Sequence, residues 1–262
     1  MNYYIGVKYI MQPICTTYLH KIISIMLLRI LTYVVPGNAF IHEMGQMEHI
    51  LYRMIQYPDD IYTEASSNNN TLSNLGPLRP MAGVWEGSMG VDIHPFSNGS
   101  EQDTYTERYE LQPIDPQTNG PQLFYGLRYH THIVKPGEVE TFHDQVGYWL
   151  WEPGANTIIM TIAIPRGQIA MASGTANPDS TTFALSATAG SDTYGICSNP
   201  FLQDTFRTIK FDMTVTINSD GTWSYNQNTT MVISDRENIF HHIDKNTLSK
   251  ISEPTPNPLA LN

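Results

Sequence analysis

The chain has 262 residues, 41% hydrophobic and 15% charged, with a formal net charge of −11. That length allows one large domain or two small ones, and that balance buries a sizeable core, which excludes wholesale disorder. An acidic surface repels nucleic-acid phosphate, and no Lys/Arg cluster offsets it, so a nucleic-acid binder is excluded as well.

Residues 1–43 read as an apolar leader. The run over 22–35 is apolar except for Arg29 and follows His20 and Lys21. At about 14 residues it falls short of the roughly 20 that a bilayer span requires. The basic flank lies well inside the chain, Arg29 interrupts the run, and Gly37-Asn38-Ala39 is a poor cleavage site. A cytoplasmic location is therefore expected over secretion. Met44 and Met47 offer alternative starts. Cys15 and Cys197 are too few and too far apart for a disulfide framework or a thiolate zinc site, and they fit a reducing compartment.

The stretch 44–74 is expected to hold a short helix and a polar linker. Ile50, Leu51, Met54 and Ile55 recur at helical spacing, Pro58-Asp59-Asp60 stops the pattern, and 65–70 offers nothing large and apolar to bury. From 75 to 252 helical periodicity gives way to short β-branched and aromatic runs between Gly, Pro, Asn and Asp clusters. The clearest run is 208–217. There Ile209, Phe211, Met213, Val215 and Ile217 point one way and the polar residues between them the other. Asp220-Gly221 turns the chain into a return strand over 222–234. Further strands are expected at 83–94, 103–113, 122–134, 141–151, 157–164, 168–175, 182–188 and from 239 onward. About ten strands joined by tight turns make a meander, and closure removes its exposed edges. The expected fold is all-β: a closed antiparallel up-and-down barrel with an internal cavity, preceded by the short helical extension and followed by a Pro-rich tail at 253–262.

Three motifs give this region a resemblance to a known family. Gly83-Val84-Trp85-Glu86-Gly87 is similar to a GxWxG signature on an opening strand. The segment from Phe142-His143-Asp144-Gln145 to Gly147-Tyr148 is similar to H-x-E-x-G-Y, and Ala163-Ile164-Pro165-Arg166-Gly167 follows it. Phe240-His241-His242-Ile243-Asp244-Lys245-Asn246-Thr247-Leu248 resembles an F-x-H-T-D-x-N-x-L ending. In this order they resemble the heme-binding β-barrels related to nitrobindin, which share the architecture of fatty-acid-binding proteins, and in particular a bacterial branch. The sequence departs from the pattern at Asp144-Gln145 and at Val91-Asp92-Ile93-His94-Pro95, where the nitrobindin branch has a Tyr-Pro-Thr stretch.

The resemblance implies a heme b held by one last-strand histidine, leaving the opposite iron position open to a small molecule. It further implies binding of nitric oxide or other nitrogen oxides, isomerisation of peroxynitrite to nitrate, and a homodimer. His241 and His242 are adjacent on one strand, so only one reaches the interior. The ending motif selects His242 as the metal ligand; counting ten residues from Met231 selects His241. The resemblance also places His143 on the distal side, Met231 beneath the heme, Ile164 at an apolar distal position and Arg128 and Arg166 near the propionates. Trp85 of the opening motif completes the set. Without the resemblance, the same histidines read as ordinary barrel residues, with His143 paired to Asp144 or Tyr129.

Other chemistries find little support. His130-Thr131-His132 is an H-x-H with no third ligand evident, there is no G-x-S-x-G elbow, and no phosphate-binding glycine loop precedes a helix. The alternative function is a non-catalytic carrier of a fatty acid or tetrapyrrole in the barrel cavity, which would call for a cation inside the barrel.

Overall fold

The structure is a computed structural model that describes residues 60–97 and 99–255. The leader, the expected helix near 48–56 and most of the Pro-rich tail lie outside the described residues. A short helix α1 (Thr71–Asn74) and a 3-10 segment (Gly76–Met81) lead into twelve strands. These are β1 (Gly83–Phe96), β2 (Gly99–Pro113), β3 (Gln117–Asn119), β4 (Gln122–Val134), β5 (Thr141–Glu152), β6 (Thr157–Ile164), β7 (Gln168–Thr175), β8 (Thr182–Thr188), β9 (Ile196–Ser198), β10 (Phe206–Ile217), β11 (Trp223–Ile233) and β12 (Phe240–Ser252). Helix α2 (Pro200–Thr205) precedes β10. Among the described residues no helix is long and apolar enough to cross a membrane.

Ten of the strands form a closed antiparallel ring, in the order β1, β2, β4, β5, β6, β7, β8, β10, β11, β12 and back to β1. The expected meander is therefore present and closed. The last strand seals it by pairing with the first, Trp85 opposite Lys250 and Asp92 opposite Asp244. β3 extends the β4 edge and β9 pairs with β7. The β7–β8 seam is the weak joint, with Ser173 opposite Ser186 as its single registered pair. The β1–β2 hairpin runs further than expected, since Pro95 sits in a strand and Gly99 adopts the φ of 142° from which the chain turns back.

The two ends of the barrel differ. At the end where β1 begins, Trp85, Trp149, Trp151 and Trp223 are buried, with Trp85 and Trp223 edge to face at 6.3 Å. Leu75, Leu78 and Met81 of the preceding segment close this end, all at 0% exposure, and Trp85 Nε1 donates to Met81 O at 2.7 Å. Two motif glycines follow from crowding. A Cβ on Gly87 would lie 2.6 Å from Asn246 Nδ2, and one on Gly147 would lie 1.9 Å from the Thr161 carbonyl oxygen. The other end of the ring carries the cavity.

Because Leu78 is a fully buried plug, Leu78→Ala should cost about 2–5 kcal/mol of unfolding free energy in urea denaturation. A loss below about 0.5 kcal/mol would mean that this segment is not part of the cooperative core.

Candidate functional site

The cavity is built from the strand ends opposite the tryptophan cluster. Its main chamber, about 390 Å³, is walled by Ile133, Phe142, Phe206 and Met231, with Phe201 and Leu202 of α2 at one side. A second chamber of about 150 Å³ shares His143, Arg166, Phe206, Met231 and His242 with it and adds Ile162 and Ile164. Asn199 caps α2 by accepting from Leu202 N at 3.0 Å, and Pro200 starts the helix, which fixes where Leu202 stands.

His242 is the imidazole that faces this space. Its Nε2 lies 2.5 Å from Asp92 Oδ1, and the other oxygen of that carboxylate, Oδ2, lies 2.7 Å from His94 Nδ1. Asp92 is 5% exposed. Burial alone would raise its carboxyl, but the hydrogen bonds and charges of His242 and His94 outweigh burial and hold it below the ordinary carboxylate value. Among the described residues His242 Nδ1 makes no hydrogen bond. His143 also lines both chambers, its Nε2 3.4 Å from Gln145 Oε1. Burial lowers its pKa below the usual 6.5, helped by Arg166 and His242, so the ring is neutral at pH 7.

Beneath the cavity lies a buried acid–tyrosine network. Glu107, 1% exposed, accepts from Thr131 Oγ1 at 2.7 Å and from Tyr225 Oη and Asn246 Nδ2, both at 2.9 Å. Tyr105 Oη is 2.8 Å from Tyr225 Oη and is hydrogen-bonded to Asp244. Asp244–Tyr105, Tyr105–Tyr225 and Tyr225–Glu107 are successive contacts, and two phenolic protons fill only two of them. The third is filled when Asp244 is protonated. Burial and the Glu107 charge push its carboxyl up to about 7, which supplies that proton near neutrality.

Of the residues singled out from the sequence, His242, His143, Met231, Ile164 and Arg166 come together around the cavity. Arg166 sits at its rim, with Nη2 donating to Phe142 O at 2.9 Å. His241 turns outward to Asn228 Oδ1 at 3.2 Å. Arg128 is on the outer face, because Leu127 and Tyr129 on either side of it point inward. It lines a separate exterior groove of about 920 Å³ with Val146, Tyr148, Ile169 and Met171. Trp85 belongs to the packed end and does not reach the cavity. Gln145 is the partner His143 finds, while Asp144 pairs outside with His130 at 2.9 Å. Sequence reasoning missed Asp92, Asp244 and Glu107. Strand parity was their signal, since each shares an inward face with buried neighbours.

This arrangement has the components of a heme pocket. There is an imidazole facing the chamber with a buried carboxylate on one of its nitrogens, a second imidazole, His143, in the same lining, a cation at the rim, and a volume within the usual range of small-molecule sites. A β-barrel with such a pocket defines the class. The family model for the THAP4-like, heme-binding beta-barrel domain matches residues 74–250, and the chain belongs to that family. Among solved structures, a similar one is the crystal structure of Rv2717c from M. tuberculosis. It is 18% identical, with 69% of this chain and 97% of that chain covered and a TM-score of 0.48. The comparison with curated proteins finds no match.

The Asp244 proton makes stability pH-dependent. Its folded pKa of about 7 exceeds the ordinary 3.8, so unfolding releases a proton between those values, and stability falls as pH rises across that window. Glu107 is raised by burial and contributes with the same sign. Asp244→Asn should reduce this slope by about one proton in urea denaturation at a series of pH values. An unchanged slope would assign the proton elsewhere.

Proposed function

We propose that the cavity holds heme b with His242 as its single axial ligand, and that the protein binds small nitrogen oxides there and isomerises peroxynitrite to nitrate. The observation that carries this reading is the His242 imidazole, turned to the cavity with a buried carboxylate on one ring nitrogen. Membership of a heme-binding family supports it.

Held by His242, heme would supply an iron able to bind and polarise a small ligand. The chain does the rest. Asp92 accepts the N–H of His242, which fixes the ring and strengthens its free nitrogen as a donor. His143 stays neutral and offers a hydrogen bond inside the cavity. Ile133, Ile164, Phe142 and Phe206 exclude water, so a reactive oxyanion is kept from bulk protons. Arg166 is the rim cation for a propionate. A cytoplasmic setting suits the free, exposed Cys197, and a homodimer is a further expectation from the resemblance.

The alternative, a carrier of a fatty acid, asks for a cation within the barrel. Among the described residues Arg166 is the cation that lines the cavity, and it sits at the rim, bonded to Phe142 O. The carrier reading is therefore the weaker one.

The test is titration of hemin into the full chain, followed by absorption spectra of wild type, His242→Ala and His241→Ala. A saturable histidine-ligated Soret band should survive in His241→Ala and be lost in His242→Ala. Asp92→Asn should weaken hemin binding about 10–100-fold. Wild-type holoprotein should then speed peroxynitrite decay to nitrate in stopped flow, whereas bound heme without that effect would leave a tetrapyrrole carrier. Spectra that all match free hemin would sink the heme reading.

A further inference from the structure

We infer that the β1–β2 hairpin carries a site for a divalent transition-metal ion, zinc in the first instance, made by His94, Glu101 and Asp103. The inference stands independently of heme.

The hairpin register creates the cluster. His94 is directly opposite Glu101, and Asp92 is directly opposite Asp103, so all four side chains share one end of the hairpin. One nitrogen of His94, Nδ1, is held by Asp92 Oδ2 at 2.7 Å. This is the carboxylate–histidine pairing that orients an imidazole ligand and raises its basicity. The other nitrogen, Nε2, looks at two carboxylate oxygens, Glu101 Oε2 at 3.6 Å and Asp103 Oδ2 at 3.9 Å. Both distances are too long for hydrogen bonds. They are close to the separation of roughly 3.4 Å between two ligands of one tetrahedral zinc ion with bonds of about 2.1 Å. Ligand atoms of all three residues lie within 4.8 Å of one another.

A second observation concerns Asp103, whose partly buried side chain already holds a cation, with Lys135 Nζ hydrogen-bonded to it at 2.6 Å from Oδ2. The hydrogen bond to Asp103, with the charges of Asp103, Glu101 and Glu138, raises the Lys135 pKa. Its Nζ also lies 4.9 Å from the centre of the Phe142 ring, and a metal ion would compete with this ammonium for Asp103. Two aspartates directly opposite each other in a hairpin repel, and a cation beside them offsets that repulsion. Two carboxylates and one neutral imidazole would neutralise a dication and leave a coordination position for water. The exterior H-x-H does not compete, since His130 is taken by Asp144 at 2.9 Å and His132 by Thr141 Oγ1 at 3.0 Å.

The experiment is calorimetric titration of Zn²⁺ into the full chain without added hemin. Wild type, His94→Gln, Asp103→Asn, Lys135→Gln and His130→Gln would be compared, with circular dichroism confirming that each is folded. One saturable site is expected. Its affinity should fall at least about 10-fold in His94→Gln and Asp103→Asn, hold in His130→Gln and rise in Lys135→Gln, where the competing charge is gone. The gain in Lys135→Gln keeps the test decisive even if a ligand variant misfolds. Absence of saturable binding in both wild type and Lys135→Gln would overturn the inference. So would binding that survives His94→Gln and is lost in His130→Gln.

Discussion

One buried carboxylate holds the middle of this barrel together. Glu107 accepts hydrogen bonds from Thr131, Tyr225 and Asn246, so a single side chain of β2 ties in β4, β11 and β12. Removing a donor from such a group leaves an incompletely satisfied charge in a low-dielectric interior, at a cost of a few kcal/mol. The network therefore tolerates little local rearrangement. It also separates two regimes, with aromatic packing below it and a walled chamber above.

The upper half depends on this floor. Asp244 belongs to the network and to the chamber lining at once, so His242, two residues earlier on β12, rises from a fixed base. Asp92 then fixes the ring from the neighbouring strand, since β1 and β12 are the pair that closes the barrel. The placement of the candidate ligand thus follows from ring closure itself, and the hairpin that supplies Asp92 also supplies His94 at the rim.

How far the sequence was legible depended on periodicity. The alternation over 208–217 and the Asp220-Gly221 turn were plain, and the meander they suggested is the observed ring. The extension of β1 and β2 was hidden because Pro95 and the polar residues after it read as loop, though a proline is tolerated at the end of a hairpin strand. Helix α2 has six residues, too few for a helical pattern, and only its Asn199-Pro200 start marked it. For the site, the second and third motifs lead to residues around the cavity, the first leads to the packed end, and none of them singled out the acids. Parity carried more than was taken from it. Asn246 and Leu248 are buried, so even-numbered residues of β12 face inward, His242 among them. The same rule turns Arg128 outward. The bond from His242 to Asp92 joins residues 150 apart, which no local pattern encodes.

The weak seam between β7 and β8 gives the barrel a direction of breathing. β7 shares its length between β9 and β8, and the single registered pair with β8 leaves few ladder bonds to break there. Local opening follows the least-protected element of a fold, so the free energy needed to part this seam lies well below that of global unfolding. Helix α2 and β9, inserted after β8, lie at this side of the chamber. Opening is thereby expected at this seam first, while the tryptophan-filled half stays intact.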